Sequence, residues 1–125
     1  MIIREKGSVD SVDWGNGHSH RLLIEADGVG FALAHTVVRA GSESRLQYRN
    51  HIEACYCISG EGEVVSADGA VRYKLVPGVL YALDRHDAHI LRAAEHGDME
   101  LISVFNPPIR GDEQHRLSPD GFSAY

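Results

Sequence analysis

The sequence predicts an all-β fold, built as an antiparallel sandwich or barrel. Short segments rich in β-forming residues recur along the chain, turn residues separate them, and no stretch shows a long helical period. The nine predicted strands cover residues 21–25, 31–40, 45–48, 53–58, 63–66, 71–75, 80–83, 89–93 and 101–105. A chain of 125 residues can bury a sizeable core, and we assign residues 1–125 to a single domain.

The separators between these segments justify the strand boundaries in chain order. They combine Gly with Asp, Ser or Pro, which favour turns. They are Asp27-Gly28, Gly41-Ser42, Ser59-Gly60, Asp68-Gly69, Pro77-Gly78 and Glu95-His96-Gly97. Asp68-Gly69 is the clearest signal of a two-residue hairpin connection. Residues 106–125 show no further strand pattern, and we expect this polar tail to fold over the barrel.

Side-chain alternation predicts which residues of a strand share a face. If Glu53 points inward, Cys55 and Cys57 point inward with it, whereas Tyr56 and Ile58 face the other way. The same rule groups Ser103 with Phe105, and Ala34 with Thr36 and Val38. A barrel interior filled in this way can hold one small ligand.

Charge and composition argue against several classes of partner. The formal net charge is −6 and the pI is near 5.7, so neither nucleic acid nor an anionic membrane is an expected partner. No apolar run approaches the roughly 20 residues that span a bilayer, and residues 1–6 lack the order of a signal peptide. We expect a cytoplasmic protein in which the only cysteines, Cys55 and Cys57, stay reduced.

Three side chains predict a metal site. Metal-binding β-barrels commonly use a His-x-His pair on one strand and a further His after a later Pro-Gly turn. Here the pair reads His51-Ile52-Glu53, the residue after Pro77-Gly78-Val79-Leu80 is Tyr81, and His89 follows eight residues on. A carboxylate, a phenol and an imidazole favour a borderline metal such as iron(II) over a structural zinc.

Each of these residues also has an ordinary interpretation. A lone Glu on a strand usually faces solvent, a lone Tyr often belongs to a core or its rim, and histidines are common in polar turns. The spacing of Glu53, Tyr81 and His89 favours the metal over these alternatives, and it favours His89 over His86. The remaining histidines have no partner pattern, and Trp14 is interpreted as a packing anchor of the N-terminal arm.

Three stretches carry a resemblance to a known family. They are residues 50–63 (NHIEACYCISGEGE), 77–89 (PGVLYALDRHDAH) and 104–108 (VFNPP). In order and spacing they resemble the ectoine synthases, a family with the cupin fold, and the likeness runs from about residue 21 to 121. It implies an iron-dependent lyase that cyclises N-γ-acetyl-L-2,4-diaminobutyrate to the osmolyte ectoine with loss of water. The metal ligands it implies are Glu53, Tyr81 and His89.

The same resemblance assigns a substrate pocket. It implies substrate-binding roles for Arg21, Thr36 and Phe105. It implies catalytic roles for Tyr48, His51, Glu113 and His115, of which the last two match a Gly-x-Glu-x-His lid in residues 111–115. It also implies a homodimer, in keeping with the exposed edge of a small barrel.

The chain departs from the family pattern in its pocket and its tail. Gly17 stands where members usually carry a Trp, with Trp14 three residues earlier, and Ala34 replaces a polar residue. After His115 the chain reads Arg-Leu-Ser-Pro-Asp-Gly instead of the usual Asp-x-x-Gly. Two alternatives therefore stay open: a cupin enzyme acting on a different small substrate, and a non-enzymatic cupin that binds a small molecule.

Overall fold

A computed structural model describes all 125 residues and shows an almost entirely β architecture. Its eleven strands are β1 (Ser11–Asp13), β2 (His18–Leu23), β3 (Ala32–Val38), β4 (Glu43–Gln47), β5 (Ile52–Ser59), β6 (Gly62–Ser66), β7 (Arg72–Leu75), β8 (Leu80–Ala82), β9 (His89–Ala93), β10 (Met99–Asn106) and β11 (Ser123–Ala124). Two single 3-10 turns, Lys6–Ser8 and Glu25–Asp27, are the helical elements. Neither has the length or the apolar character to cross a membrane.

The strands form two sheets. One has the order β1-β2-β3-β10-β5-β8 and the other β11-β4-β9-β6-β7. Every pairing is antiparallel except that of β11 with β4. The prediction of an antiparallel all-β fold is therefore confirmed, and all nine predicted strands are present.

Three strand details differ from the prediction. The short strands β1 and β11 contain too few apolar residues to be predicted from the sequence. Pairing with neighbouring strands defines them: Asp13 lies opposite His18, and Ser123 lies opposite Leu46. The strand predicted for 21–25 begins earlier, at His18, because pairing with β1 and β3 holds a polar stretch in the sheet. It ends at Leu23, where the chain turns into the 3-10 segment Glu25–Asp27.

The predicted hairpin at Asp68-Gly69 is present with a longer connection. The Ser66 carbonyl accepts the Gly69 N–H at 2.9 Å, and the Ser66 N–H donates to the Val71 carbonyl at 2.9 Å. Asp68 Oδ1 also accepts the Ala70 N–H at 2.9 Å. These bonds close a four-residue loop over 67–70, so the turn residues are as predicted but the two-residue length is wrong.

The inward and outward faces follow the predicted alternation. Glu53 is 4% exposed and Cys55 and Cys57 are also buried, whereas Tyr56 is 45% exposed and Ile58 is exposed too. The core divides into two groups of buried residues. The larger contains Trp14, Val38, Leu46, Cys55, Cys57, Val64, Leu75, Leu91, Ala93, Met99 and Leu101, and the smaller Ala32, Tyr48, Leu83, Phe105 and Ile109. Tyr81 packs against both groups, and the candidate site lies where they meet.

The C-terminal tail folds back over the sandwich, as the sequence predicts. The Ile109 carbonyl accepts the Glu25 N–H at 2.8 Å, and the His115 N–H donates to the Trp14 carbonyl at 3.1 Å. β11 then adds to the edge of the five-stranded sheet beside β4. The tail thus brings Glu113 and His115, both buried, to one end of the interior.

Candidate active site

A small cavity lies between the two sheets. Its volume is about 20 Å³, enough for about one water molecule. The wall residues are Trp14, Ser19, Thr36, Leu46, Tyr48, Glu53, Cys55, Tyr81, Leu91, Leu101, Ser103, Phe105 and Tyr125. Five residues that the sequence assigns to a site, Thr36, Tyr48, Glu53, Tyr81 and Phe105, are on this wall.

Glu53 is the buried carboxylate of the cavity. It projects inward from β5, opposite Phe105 on β10. Burial raises its pKa to about 8, and interactions with the Cys55 thiol, the charge of Arg21 and the Tyr48 hydroxyl oppose that rise. Near neutral pH, the carboxyl group therefore holds its proton unless a cation comes close to it.

Tyr81 brings a phenol to the same region from the neighbouring edge strand. It lies on β8 directly opposite Cys55, two residues along β5 from Glu53 and on the same inward face. Burial raises the pKa of the Tyr81 phenol and also that of the Cys55 thiol. Both groups are therefore neutral in the absence of a cation.

His89 comes from β9 in the facing sheet. A carbonyl oxygen only accepts, so His89 Nδ1 donates its proton to the Asp87 carbonyl at 2.9 Å. The other ring nitrogen, Nε2, is buried and has no hydrogen-bond partner. Burial also lowers the pKa of His89, so Nε2 offers a free lone pair inside the protein. Its ring centroid lies 6.3 Å from that of Tyr81.

These three side chains fit a metal ion. A carboxylate and a phenol from one sheet face an imidazole from the other, and the orphaned Nε2 of His89 lacks the partner that buried polar atoms normally have. Neither at this site nor elsewhere in the chain are three or more His, Cys, Asp and Glu side chains placed to hold a metal. Tyr81 is therefore needed to complete the donor set, which suits a borderline divalent metal.

Tyr48 and His115 form a hydrogen-bonded pair at the tail side of the cavity. His115 Nε2 lies 3.1 Å from the Tyr48 hydroxyl, and its Nδ1 lies 2.9 Å from Ser123 Oγ. Burial, together with the nearby His89 and Arg21, lowers the pKa of His115 to about 3. Burial raises that of Tyr48. A neutral imidazole and a neutral phenol therefore share this bond.

Arg21 and Glu113 lie beside the cavity and not on its wall. Arg21 is buried, and it donates from Nε to Ser19 Oγ at 2.8 Å and from Nη2 to the Glu113 carbonyl at 2.9 Å. Its Nη1 has no hydrogen-bond partner and lies 3.8 Å from Glu113 Oε1. Arg21 also borders a surface groove with Arg4 and Arg110. One buried guanidinium donor is thus free for an anionic group.

Glu113 is held by the backbone of the tail. Its Oε2 accepts the Arg110 N–H at 2.8 Å and its Oε1 accepts the Gly111 N–H at 2.9 Å. Burial opposes ionisation, but the N–H groups of Gly111 and Arg110 outweigh it and lower the pKa of Glu113. The carboxylate therefore organises the turn that leads into the lid residues.

His51 lies outside the cavity. Its Nδ1 donates to the Pro107 carbonyl at 2.7 Å, and its ring stands edge-on to Phe105 at 6.2 Å between centroids. His86 Nδ1 lies 2.8 Å from the Tyr48 carbonyl and 3.1 Å from the His51 carbonyl. His86 therefore stabilises the turn between β4 and β5.

The comparisons with known proteins decide the family. The profile of the family described as ectoine synthase matches residues 1–122. The chain belongs to the ectoine synthase family. It is similar to the L-ectoine synthase of Desulfatibacillum aliphaticivorans, with 46% identity over 121 residues that cover 92% of each chain. It is also similar to the L-ectoine synthase of Halalkalibacterium halodurans, with 44% identity over 109 residues, 87% of this chain and 83% of that one.

Solved structures agree with this assignment to the ectoine synthase family. The crystal structure of ectoine synthase from P. lautus superposes with a TM-score of 0.83 at 43% identity, covering 89% of this chain and 81% of that one. A cupin 2 conserved barrel domain protein from Salinispora arenicola, with a TM-score of 0.67 at 20% identity over 84% and 87% of the two chains, shares the fold alone. The predictions of the family, the cupin fold and a lyase of the ectoine synthase type are confirmed.

Two aromatic residues that line the cavity were not assigned to the site from the sequence. Trp14, interpreted as a packing anchor, lines the cavity and donates from Nε1 to the Val37 carbonyl at 3.0 Å. The position of Trp14, three residues before the place where family members usually carry a Trp, could have predicted that it lines the cavity. The segment Gly15-Asn16-Gly17 can loop out between Trp14 and β2. Tyr125 also lines the cavity, and no motif in the sequence pointed to it.

Proposed function

We propose that this chain cyclises N-γ-acetyl-L-2,4-diaminobutyrate to L-ectoine with loss of water. Membership of the ectoine synthase family along nearly the whole chain is the observation that carries the proposal. The polar and aromatic side chains that line the cavity support it, because both substrate and product are compact molecules with several polar groups. In the reaction the substrate's free amine forms a C–N bond to its own acetyl carbonyl carbon, and the carbonyl oxygen leaves as water.

The main task of the cavity in this proposal is to hold a flexible chain folded on itself. An amide is a poor electrophile, but an intramolecular attack held in a near-attack shape gains about 7–11 kcal/mol from orientation. The rings of Tyr48 and Phe105 stand edge to face, 5.3 Å between centroids. Together with Thr36, which also lines the cavity from β3, they restrict the conformations open to the methylene chain. A nearly dry interior also favours the loss of water.

We propose that Glu53, Tyr81 and His89 hold iron(II). When bound, the ion supplies a Lewis acid that polarises the acetyl carbonyl. To bind the cation, Glu53 and Tyr81 must each release a proton, whereas His89 Nε2 already has a free lone pair. The fixed bond from His89 Nδ1 to the Asp87 carbonyl sets the ring orientation, as is usual for metal-binding histidines.

Arg21 is proposed to bind the carboxylate of the substrate. Nη1 is buried and makes no hydrogen bond, since Glu113 Oε1 lies 3.8 Å away, and a buried guanidinium donor without a hydrogen bond is costly. A carboxylate would satisfy it with a charge-assisted bond. The other two nitrogens are already fixed by Ser19 and the Glu113 carbonyl, so the free donor points in a defined direction.

Proton movement is proposed to use the Tyr48–His115 pair. The 3.1 Å bond between the Tyr48 hydroxyl and His115 Nε2 gives a path on which a proton can shift between the cavity and the tail. Glu113 then acts as a positioning residue, since both its oxygens are engaged by backbone N–H groups. His51 has a similar supporting role through Pro107 and Phe105.

The test of this function is product formation. The protein is loaded with iron(II) under anaerobic conditions, given N-γ-acetyl-L-2,4-diaminobutyrate, and the mixture is separated by chromatography. We expect ectoine from the wild type and from Tyr73→Phe, which changes an exposed phenol on β7 in the other sheet. We expect Tyr81→Phe to lose at least about tenfold in iron affinity, and activity with it. Iron-loaded wild type that yields no ectoine would refute the proposal and point to another substrate.

A homodimer is proposed from the outer face of the six-stranded sheet. Antiparallel sheets normally expose a polar face to water, yet this face carries a row of apolar side chains. They are Leu33, Ile52, Tyr56, Ile58, Leu80 and Ile102. We propose that a second copy of the chain covers them. Light scattering should give twice the chain mass and should give a monomer for Leu80→Lys, and a wild type that stays monomeric at all concentrations would contradict the proposal.

We propose that this activity takes place in the cytoplasm. Both cysteines are free and buried, which suits a compartment that keeps thiols reduced. A small polar product made there acts as an osmolyte by accumulating in the same compartment. Fractionation of cells that express the protein tests this location.

A further inference from the structure

The ring of Tyr125 lies inside the candidate active site. It stands edge to face with the Tyr48 ring, 5.1 Å between centroids. Its centroid also lies 4.2 Å from that of the His115 ring and 6.5 Å from that of the Phe105 ring. These are three of the residues assigned to the substrate or to catalysis. Tyr125 also borders the same cavity as Glu53 and Tyr81. An aromatic side chain of the tail thus takes part of the space between the catalytic groups.

The space that remains is too small for the proposed substrate. The cavity holds about 20 Å³, whereas pockets for small ligands have volumes of about 300 Å³ or more. Close-packed walls do not yield to a ligand of many atoms without the movement of a whole side chain. Tyr125 follows β11, which has two residues, whereas the other wall residues belong to longer strands, to the position after β4 or to the anchored turn at Trp14.

The attachment of the Tyr125 segment is short. β11 has two residues, which pair with Leu46 and Gln47 on β4. Outside that pairing, Ser123 Oγ bonds His115 Nδ1 and accepts the Arg116 N–H, both at 2.9 Å. So few bonds allow local opening at a small free-energy cost compared with global unfolding.

We infer that Tyr125 is a side-chain gate that competes with the substrate for the cavity, so that residues 118–125 must swing out before the substrate binds. This inference rests on the proposed function for the identity of the substrate. The release of Ser123 from His115 in the same movement frees Nδ1 of a residue proposed to carry protons. Opening of the gate therefore also frees His115 Nδ1 to exchange a proton.

The gate has a kinetic consequence. If the open state is a minor population, the apparent affinity for substrate is reduced by that fraction. Removal of the ring in Tyr125→Ala should lower KM by roughly three- to thirtyfold, because aromatic contacts to three neighbouring rings no longer favour the closed state. Tyr125→Phe keeps the ring and should keep a KM near that of the wild type. A KM that is unchanged or raised in Tyr125→Ala would overturn the inference.

A second measurement does not depend on activity. Trp14 is the only tryptophan, it is 4% exposed, and its ring stands edge-on to His115 at 6.3 Å between centroids. Because Trp14 and Tyr125 border one cavity, acrylamide should quench Trp14 fluorescence about twofold more steeply in Tyr125→Ala than in the wild type or Tyr125→Phe. Thermal unfolding confirms that each variant is folded.

The two measurements separate failure of the gate from failure of the proposed function. Equal quenching in folded wild type and Tyr125→Ala shows that the ring does not close the cavity, whatever reaction the protein catalyses. Steeper quenching in Tyr125→Ala, from a protein that forms no ectoine, supports the gate and refutes the substrate. In that case the same variants are screened for binding of other small amino acid derivatives.

Discussion

At the scale of single residues, burial keeps the titratable groups of the cavity uncharged. Glu53 retains its proton up to about pH 8, and His115 stays neutral down to about pH 3. Burial also lowers the pKa of His89. In water these groups would be charged over parts of that range. The metal-free interior is therefore neutral near pH 7, and a cation reverses the preference of Glu53.

Glu53 makes the stability of the metal-free protein fall as the pH rises. Between its ordinary pKa of 4.5 and the raised value of about 8, the native state holds a proton that the unfolded chain has lost. The free energy of unfolding therefore decreases with pH in that window. His115 acts in the opposite sense, but only up to its ordinary pKa of 6.5.

Urea unfolding of metal-free protein from pH 6.5 to 8 tests this effect. The wild type should lose about 1–2 kcal/mol across that range. Glu53→Gln should remove the loss, whereas the exposed Glu95→Gln should retain it. A wild type whose stability is flat or rises between these pH values would show that the Glu53 carboxyl is already ionised in the native state.

The Tyr48 hydroxyl supplies a second prediction at the residue scale. Tyr48→Phe leaves the buried His115 Nε2 without its partner, and an unpaired buried acceptor costs about 1–3 kcal/mol. Tyr73→Phe removes the same group from an exposed side chain on β7 and should cost almost nothing. Denaturant unfolding of the two variants provides the comparison. Equal stabilities would mean that the Tyr48–His115 bond does not contribute to the native state.

At the scale of structural elements, the turn between β1 and β2 decides where Trp14 lies. The Trp14 N–H donates to the Gly17 carbonyl at 3.1 Å, and the Gly15 N–H donates to Asp13 Oδ1 at 2.9 Å. Asn16 Nδ2 donates to Ser44 Oγ at 2.7 Å, which ties the turn to β4. This turn brings the Trp14 side chain to the cavity, although Gly17 stands at the sequence position where family members usually carry a Trp.

Gly17 is required by this turn. Its φ is 150°, and a Cβ there would lie 1.9 Å from the Val37 carbonyl oxygen. Gly17→Ala should therefore destabilise the protein by more than about 2 kcal/mol and shift the Trp14 emission to the red. Gly7→Ala, where a Cβ meets no atom within 4 Å, is the matched control. Thermal unfolding and fluorescence spectra check both variants, and equal melting temperatures would contradict this account of the turn.

At the scale of the whole molecule, the proposed metal donors come from the two facing sheets. β5 and β8 provide Glu53 and Tyr81, and β9 in the facing sheet provides His89. Local sequence patterns predicted where Glu53 and Tyr81 lie in this arrangement. Alternation along β5 predicted that Glu53 faces inward with Cys55, and the Pro-Gly turn predicted a strand that carries Tyr81.

Other features depend on contacts between distant parts of the chain, which local patterns do not reveal. Arg21 lies beside the cavity because Ser19 and the tail hold its guanidinium, and no local pattern predicts that position. The two short strands β1 and β11 exist because longer strands present an open edge. Tyr125 enters the cavity only because β11 docks on β4, a contact that spans most of the chain.

The most direct test of the central claim is anomalous diffraction at the iron edge from crystals grown anaerobically with iron(II). We predict one strong peak inside the sandwich, in contact with a Glu53 oxygen, His89 Nε2 and the Tyr81 oxygen. The peak should vanish in Glu53→Gln. A peak on the outer face near His18, His20 and His35, with none between Glu53 and His89, would contradict the account.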